Sequence, residues 1–155
     1  MNTDFLNKKV IPLEEMMPLI EEHLSRGKSV RITPKGISML PMLREKSDSV
    51  VLSPKPEKIK KYDLPLYKRD DDKYILHRVI SKKEPFCCVG DNQFEIEFGV
   101  RYDQIIAVVT SFNRGEKEYS VNDFSYKFYC RFWHYSRPFR RVWRGVKRRL
   151  KSLFK

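Results

Sequence analysis

The strongest constraint on the fold is a series of six short β-type runs between residues 29 and 112. Each is rich in Val, Ile, Tyr or Phe and is bounded by Pro, Gly, Asp or Lys clusters, a spacing that favours a compact sandwich or barrel. The 155-residue chain is long enough for one domain with an appendage. We therefore predict a mainly β fold. The runs are SVRIT, DSVVLS, LPLYK, KYILHRVI, PFCCVG and QIIAVVTSF.

A short amphipathic helix is predicted ahead of these runs, over residues 12–26. Pro12 suits its first turn and Gly27 suits its end, whereas Pro18 predicts a kink or a later start. His23 is interpreted as a surface residue. The apolar stripe of this helix comprises Leu13, Met16, Met17, Ile20 and Leu24.

The charge is concentrated at the carboxyl end of the chain. The sequence has 32 basic and 20 acidic residues, a net charge of +12. All 20 acidic residues precede Phe124, whereas the segment from Phe124 to Lys155 carries 11 basic residues. We therefore predict a helical segment at 1–28, a nearly neutral β-rich domain at 29–120 and a cationic tail at 121–155.

The tail is predicted to form two helices. Asn122 is a candidate cap for the first, which would end at Arg137, and Pro138 suits the first turn of the second. The first, aromatic helix is expected to pack on the β domain or to sink partly into lipid. On a helical wheel the second separates an apolar arc from a basic side. The arc comprises Phe139, Val142, Trp143, Val146, Leu150, Leu153 and Phe154, and the basic side comprises Arg140, Arg141, Arg144, Lys147, Arg148 and Lys151.

This separation is typical of a helix that lies in a membrane interface. The residues predicted to bind the membrane are Phe139, Arg140, Arg141, Trp143, Arg144, Lys147 and Arg148. Nucleic-acid binding and packing of the apolar arc against the protein's own domain or a partner remain alternatives.

Three further observations bear on location and cofactors. No run approaches the roughly 18 apolar residues of a membrane span, and the N-terminus lacks the apolar core of a secretory signal. The three cysteines do not form a disulfide framework, so a reducing cytoplasm is expected. Cys87 and Cys88 alternate faces of a strand, and Cys130 with His134 supplies too few ligands for zinc, so no metal site is predicted.

A turn at residues 34–41, PKGISMLP, is the first candidate for chemistry. Gly36 permits an unusual backbone conformation, and Pro41 stiffens the exit. Such a turn can present the Ser38 hydroxyl outward, as a nucleophile requires.

Two further segments supply a candidate base and carboxylates. Strand alternation over residues 73–80 places His77 with Ile75 and Val79 on one face, where it is either a buried structural residue or a base. Asp91 lies in a Gly-Asp-Asn turn. Glu95 and Glu97 follow on one face of a predicted strand.

Together these segments resemble the signal peptidase and LexA-like serine peptidase superfamily. The resemblance rests on three motifs in order between Val30 and Ser111: Gly36-x-Ser38-Met39-x-Pro41, His77-Arg78-Val79 and Gly90-Asp91-Asn92. It implies a β-rich fold and peptide-bond hydrolysis without metal or cofactor. A histidine followed by Arg-Val is similar to the archaeal and endoplasmic-reticulum branch.

The resemblance implies a role for each matching residue. Ser38 is the expected nucleophile, His77 the general base and Asp91 its supporting carboxylate, with Glu95 and Glu97 in reserve. The Ser38 N–H would help to bind the oxyanion, and Met39 and Pro41 would shape the turn and cleft.

The sequence departs from the family at two motif positions. Gly36 replaces a serine that many signal peptidases carry, and Tyr62-Asp63 replaces the usual Gly-Asp. Lys73, a conceivable alternative base, lies about 13 Å along the strand from His77, too far to substitute for it.

The sequence thus predicts a serine endopeptidase that cleaves a peptide or precursor protein and is peripheral on the inner face of the membrane. Two alternatives remain open. One is a catalytically inactive peptide-binding module of the same fold. The other is a LexA-like nucleic-acid-associated regulator, although no upstream DNA-binding helical domain is recognisable.

Overall fold

A computed structural model describes residues 11–153 as three α-helices and nine antiparallel strands in two sheets. With 31% helix and 29% strand the fold is mixed, so the prediction of a mainly β protein holds only roughly. The elements are α1 Leu13–Ser25, β1 Val30–Ile32, β2 Asp48–Pro54, β3 Pro65–Lys68, β4 Tyr74–Leu76, β5 Arg78–Val79, β6 Phe86–Val89, β7 Glu97–Val100, β8 Ile105–Arg114, β9 Lys117–Ser120, α2 Phe124–Tyr135 and α3 Arg137–Leu153.

The two sheets divide the β domain between two apolar cores. The larger sheet has the order β1-β2-β8-β3-β4, with β9 also paired to β8. The smaller sheet has the order β5-β6-β7. One core lies among α1, α2 and the larger sheet, and the other contains side chains from both sheets, including Tyr67 and Val79. Strand β9 was not predicted, and the strand predicted around Glu95 and Glu97 begins only at Glu97, as β7.

The run at residues 73–80 is not one strand but two. Strand β4 pairs with β3 in the larger sheet, and β5 pairs with β6 in the smaller one. The predicted alternation is nevertheless confirmed, because Tyr74 and Leu76 contact the first core whereas Ile75 and Val79 belong to the second. His77 is the single residue between the strands, so it lies where the chain passes from one sheet to the other.

The predicted N-terminal helix is confirmed from residue 13 onward. It begins at Leu13, not at Pro18, and its stripe is buried at Met17, Ile20 and Leu24. Burial of these side chains offsets the backbone hydrogen bond that Pro18 cannot donate. Gly27, at φ +72°, ends the helix. Residues 1–10 of the predicted N-terminal segment lie outside the described range.

The tail forms the two predicted helices, but the first of them belongs to the domain. Helix α2 follows Asp123 rather than Asn122, and it buries Tyr126 and Cys130 in the first core. Helix α3 begins after a single intervening residue, Ser136. Within residues 11–153 no helix combines the length and apolar character needed to cross a bilayer.

Candidate active site

The turn that carries Ser38 is anchored to the domain by a hydrogen bond from Gly36 and by the buried side chain of Met39. Gly36 has φ +88°, a conformation that favours glycine, and its N–H donates to Glu45 Oε1 at 3.2 Å. Met39 is buried in the first core. Ser38 itself is half-buried, and its N–H donates to no group among the described residues. The turn is therefore fixed while one backbone donor stays available.

The Gly90-Asp91-Asn92 turn lies directly against the Ser38 turn. The Asn92 N–H donates to the Ser38 carbonyl at 2.8 Å, and Asn92 Nδ2 donates to the Ile37 carbonyl at 3.1 Å. A Cβ on Gly90 would lie 2.6 Å from the Ser38 carbonyl oxygen, so only glycine permits this approach. Two motifs more than fifty residues apart in sequence are thereby fastened together.

A cavity of about 610 Å³ is lined in part by Asn92, whereas Ser38 does not line it. It contains the predicted base and both reserve carboxylates, together with one residue of the tail helix. Its lining comprises Arg69, His77, Asn92, Gln93, Phe94, Glu95, Ile96, Glu97 and Arg144.

His77 is a buried and nearly unpartnered imidazole. The residue is 6% exposed, and its Nδ1 has no hydrogen-bond partner among residues 11–153. Burial lowers the pKa of His77 to about 4, because the loss of hydration outweighs the opposing effect of Glu97. The imidazole is therefore neutral at pH 7 and able to accept a proton.

The carboxylate closest to the imidazole is that of Glu97. Its Oε2 lies 3.9 Å from His77 Nδ1. Tyr67 Oη donates to Oε2 at 2.6 Å, and Arg69 donates to both oxygens, each at 2.6 Å. Although burial raises the pKa of Glu97, these hydrogen bonds lower it below its usual value, so the group is ionised at neutral pH.

The other reserve carboxylate differs from Glu97 in its setting. Glu95 is exposed and lies in the segment before β7, which begins only at Glu97. The prediction that Glu95 and Glu97 share one strand face is therefore wrong, because the bulk of the 92–96 segment forms the cavity wall instead of pairing with β6.

Asp91 makes its contacts with an arginine. Both Asp91 oxygens accept from Arg78, at 2.8 and 2.7 Å, and Tyr129 Oη donates to Oδ2 at 2.9 Å. No hydrogen bond joins Asp91 to His77 within the described chain. The expectation that Asp91 orients the imidazole is therefore wrong. The Asp91 carboxylate is bound to Arg78, whose buried guanidinium would be strongly destabilising without an anionic partner.

The Arg78 guanidinium is buried, and its N–H groups have hydrogen-bond partners. Its Nη1 donates to Tyr126 Oη at 2.8 Å and to Cys130 Sγ at 3.0 Å, and its Nη2 approaches Met42 Sδ at 3.0 Å. Burial opposes the charge, but Tyr126 and Asp91 raise the pKa of Arg78 well above its usual value. The Arg78–Asp91 pair thus joins the strand after His77, the turn beside Ser38 and helix α2.

The tail helices extend this network to the cavity. Trp133 Nε1 donates to the Asp91 carbonyl at 2.7 Å, and Arg140 Nη1 donates to the same oxygen at 3.3 Å. Arg144 donates to Asn92 Oδ1 at 3.0 Å and lies 4.6 Å from the centre of the Phe94 ring. Helix α3 therefore contributes to the cavity rim.

Sequence reasoning assigned no role in this site to Tyr67, Arg69, Gln93, Phe94, Ile96 or Arg144. No sequence pattern pointed to Arg69, Tyr67 belonged to the predicted run LPLYK, and Arg144 was expected to contact the membrane. One available signal concerned Arg78, because an arginine in an apolar strand calls for a buried anionic partner. Nothing in the sequence indicated that Glu97 would meet Tyr67 and Arg69 from a different sheet.

The cysteines form no ligand cluster. Cys130 Sγ contacts Arg78, and His134 lies edge-on to the ring of Tyr62. Burial raises the pKa of Cys88 to about 12, which keeps the thiol protonated. In the part of the chain that the structure describes, no three His, Cys, Asp or Glu side chains are grouped to hold a metal ion.

Comparison with known proteins gave no match to a family model, to a curated protein or to a solved structure.

Proposed function

We propose that this chain is a serine endopeptidase that cleaves a peptide or precursor protein with Ser38 and His77, as in the signal peptidase and LexA-like superfamily that its motifs resemble. The observation that carries the proposal is the contact between the two turns. It fixes the Ser38 turn against Asn92, and Asn92 lines the same cavity as the neutral base His77. Ser38 is not among the residues that line the cavity, and Asn92 is the link between its turn and His77.

The chemistry follows the usual course for a base-activated serine. Ser38 Oγ attacks the scissile carbonyl carbon while His77 accepts the hydroxyl proton, and the free Ser38 N–H stabilises the oxyanion. The C–N bond then breaks as His77 returns the proton to the leaving amine. Water, deprotonated by His77, attacks the acyl-enzyme, and the acid product leaves as Ser38 recovers its proton.

Glu97 is proposed as the positioning carboxylate in place of Asp91. A proton on His77 Nδ1 would face Glu97 Oε2, 3.9 Å away, and would leave Nε2 as the acceptor. Asp91 has a different task in this scheme. It holds the Gly90-Asp91-Asn92 turn to Arg78 and so keeps Asn92 against Ser38.

A peptide library incubated with the full chain and read by mass spectrometry tests the proposal. We expect discrete cleavage products with the wild type in the presence of a chelator, and none with Ser38→Ala. Products that persist in Ser38→Ala would overturn the assignment of the nucleophile.

A second candidate function is a peptide-binding module without catalysis. It is favoured by one observation, that no hydrogen bond joins Ser38 to His77 within residues 11–153. In free enzymes such bonds are often long and tighten only when substrate is present. Library peptides that bind the chain but are recovered uncut would support the binding module.

The pH profile of cleavage should report the buried base. An enzyme whose general base is a histidine of ordinary pKa would lose half its activity near pH 6.5. Because burial lowers the pKa of His77 to about 4, we expect kcat/KM to stay level from pH 7 to about pH 5 and to fall only below that. A midpoint near 6.5, measured while circular dichroism shows a folded protein, would contradict the buried-base geometry.

Replacing the positioning carboxylate should slow the reaction without unfolding the protein. For Glu97→Gln we expect kcat to fall on the order of 10²-fold, because the imidazolium loses its nearest anion. The pKa of His77 should also fall further, since Glu97 raises it. Glu95→Gln is the matched control in the same cavity and should leave both quantities unchanged. Equal effects of the two variants would contradict the role of Glu97.

The proposal includes peripheral attachment to the inner face of the membrane through α3, from a cytoplasmic location. Eight basic residues and no acidic one lie on this helix. Of the residues predicted to bind the membrane, Arg140 and Arg144 contact the domain instead. The exposed apolar residues of α3 are Phe139, Val142, Trp143, Val146 and Leu150. Each basic residue near an anionic leaflet contributes about 1 kcal/mol. Phe154 of the predicted apolar arc lies outside the described residues.

A further inference from the structure

Helix α2 has an exposed aromatic face that the domain leaves uncovered. Its inner side packs on the domain through Tyr126, Cys130 and Trp133. Its outer residues recur at helical spacing on the opposite side and are 57% to 83% exposed. They are Phe124, Phe128, Phe132 and Tyr135. Four adjacent aromatic side chains in water form an apolar patch of the kind that marks an interaction surface.

A second exposed apolar row follows on α3. Its members are 41% to 78% exposed, and only Ser136 separates the two helices. They are Phe139, Val142, Trp143, Val146 and Leu150. We call these nine residues of α2 and α3 the docking face. Helix α3 carries eight basic residues and no acidic one, and two of the basic residues, Arg140 and Arg144, contact the domain.

The docking face is fastened to the folded domain. Arg78 donates to Tyr126, and Tyr129 donates to Asp91, so α2 is held by the buried ion pair. Arg140 and Arg144 then bind the Asp91 carbonyl and Asn92, which holds the first turns of α3. The outer faces of the helices are thereby left to solvent while their inner contacts are fixed.

We propose that the docking face binds an anionic lipid bilayer as a single surface fixed to the folded domain. This inference rests on the peripheral attachment proposed above and adds two elements to it. The lipid contact includes the aromatic side of α2, and it requires the native domain instead of being an autonomous property of the tail.

Charge and apolarity together favour lipid as the occupant. The exposed basic side chains of α3 that do not bind the domain complement anionic headgroups, and the exposed aromatic and aliphatic residues match the acyl boundary. These basic residues are Arg141, Lys147, Arg148, Arg149 and Lys151. A nucleic acid would satisfy the charges, but it would leave the aliphatic members of the α3 row, Val142, Val146 and Leu150, in water.

Partition into vesicles tests the surface. The protein is the full chain carrying Ser38→Ala, so the result is independent of catalysis. We expect phosphatidylglycerol in phosphatidylcholine vesicles to raise the partition coefficient by about 10²-fold or more. Phe124→Ser, Phe128→Ser and Phe132→Ser together should lower it by about 10-fold or more. The matched control is Phe98→Ser, which removes a phenylalanine that is 73% exposed outside the docking face and should change nothing.

Thermal unfolding tests whether the surface belongs to the domain. A ligand that binds only the native state raises the unfolding midpoint, whereas one that binds native and unfolded chains equally does not. We expect saturating anionic vesicles to raise the midpoint by about 5 °C and the triple serine variant to lose this shift. Because the three phenylalanines are exposed, the variant should unfold at the wild-type midpoint without vesicles.

Each other outcome overturns a defined part of the inference. Partition that survives the triple substitution would remove α2 from the contact, and partition without a midpoint shift would make the tail autonomous. A single-stranded oligonucleotide that binds while vesicles do not would assign the surface to nucleic acid. Failure of library cleavage would overturn only the peptidase, because both measurements here use the Ser38→Ala chain.

Discussion

Replacing Ser38 or His77 by alanine is expected to lower kcat/KM for peptide cleavage by about 10⁴-fold or more. The first change removes the attacking oxygen, and the second removes the acceptor of its proton. Because the two groups act as a unit, the double variant should be scarcely slower than either single variant. The measurement is the cleavage rate of a peptide identified from the library.

Controls must separate chemistry from folding. Ser38 is half-buried in a turn, so its alanine variant should keep the wild-type melting temperature. His77 is buried, so loss of its ring volume could lower stability, and His77→Gln with a matched melting curve provides the second test. Effects of the two substitutions that simply multiply in the double variant would contradict a shared catalytic step.

Asp91→Leu is expected to lower the free energy of unfolding by about 3–5 kcal/mol. The substitution leaves a charged Arg78 without its carboxylate partner. This side chain is only 2% exposed and is surrounded by apolar and aromatic groups. The loss should be read by urea denaturation monitored by circular dichroism. Cleavage should fall as well at temperatures where the variant is folded, because the Asp91 turn holds Asn92 against Ser38.

The double variant Arg78→Met with Asp91→Leu is the informative control. It removes both charges together, and buried ion pairs replaced by apolar groups often retain stability. We therefore expect it to be more stable than Asp91→Leu alone. Equal destabilisation of the two variants would show that the cost arises from packing rather than from an unpaired charge. Glu95→Gln, an exposed carboxylate variant, should have no effect on stability.

Local patterns were sufficient for most elements of the fold. Apolar spacing predicted α1 and α3, a candidate cap and Pro138 predicted α2, and alternation predicted which residues around His77 share a face. These features depend on neighbours a few residues apart, so the sequence contains them directly. It did not predict that the run at 73–80 would break, because each half pairs with a different sheet.

The candidate site, like the fold, could be predicted only in part from the sequence. The sequence by itself determined the residue types, the Ser38 turn, a histidine in an apolar setting, and a tail whose charge is separate from that of the domain. Only the tertiary structure decided that Glu97, not Asp91, is the carboxylate nearest His77. It also decided that α2 completes the core. The physical reason is that carboxylate pairing and burial depend on strands and helices that are distant in sequence, and the buried Arg78 needed an anion more than the neutral imidazole did.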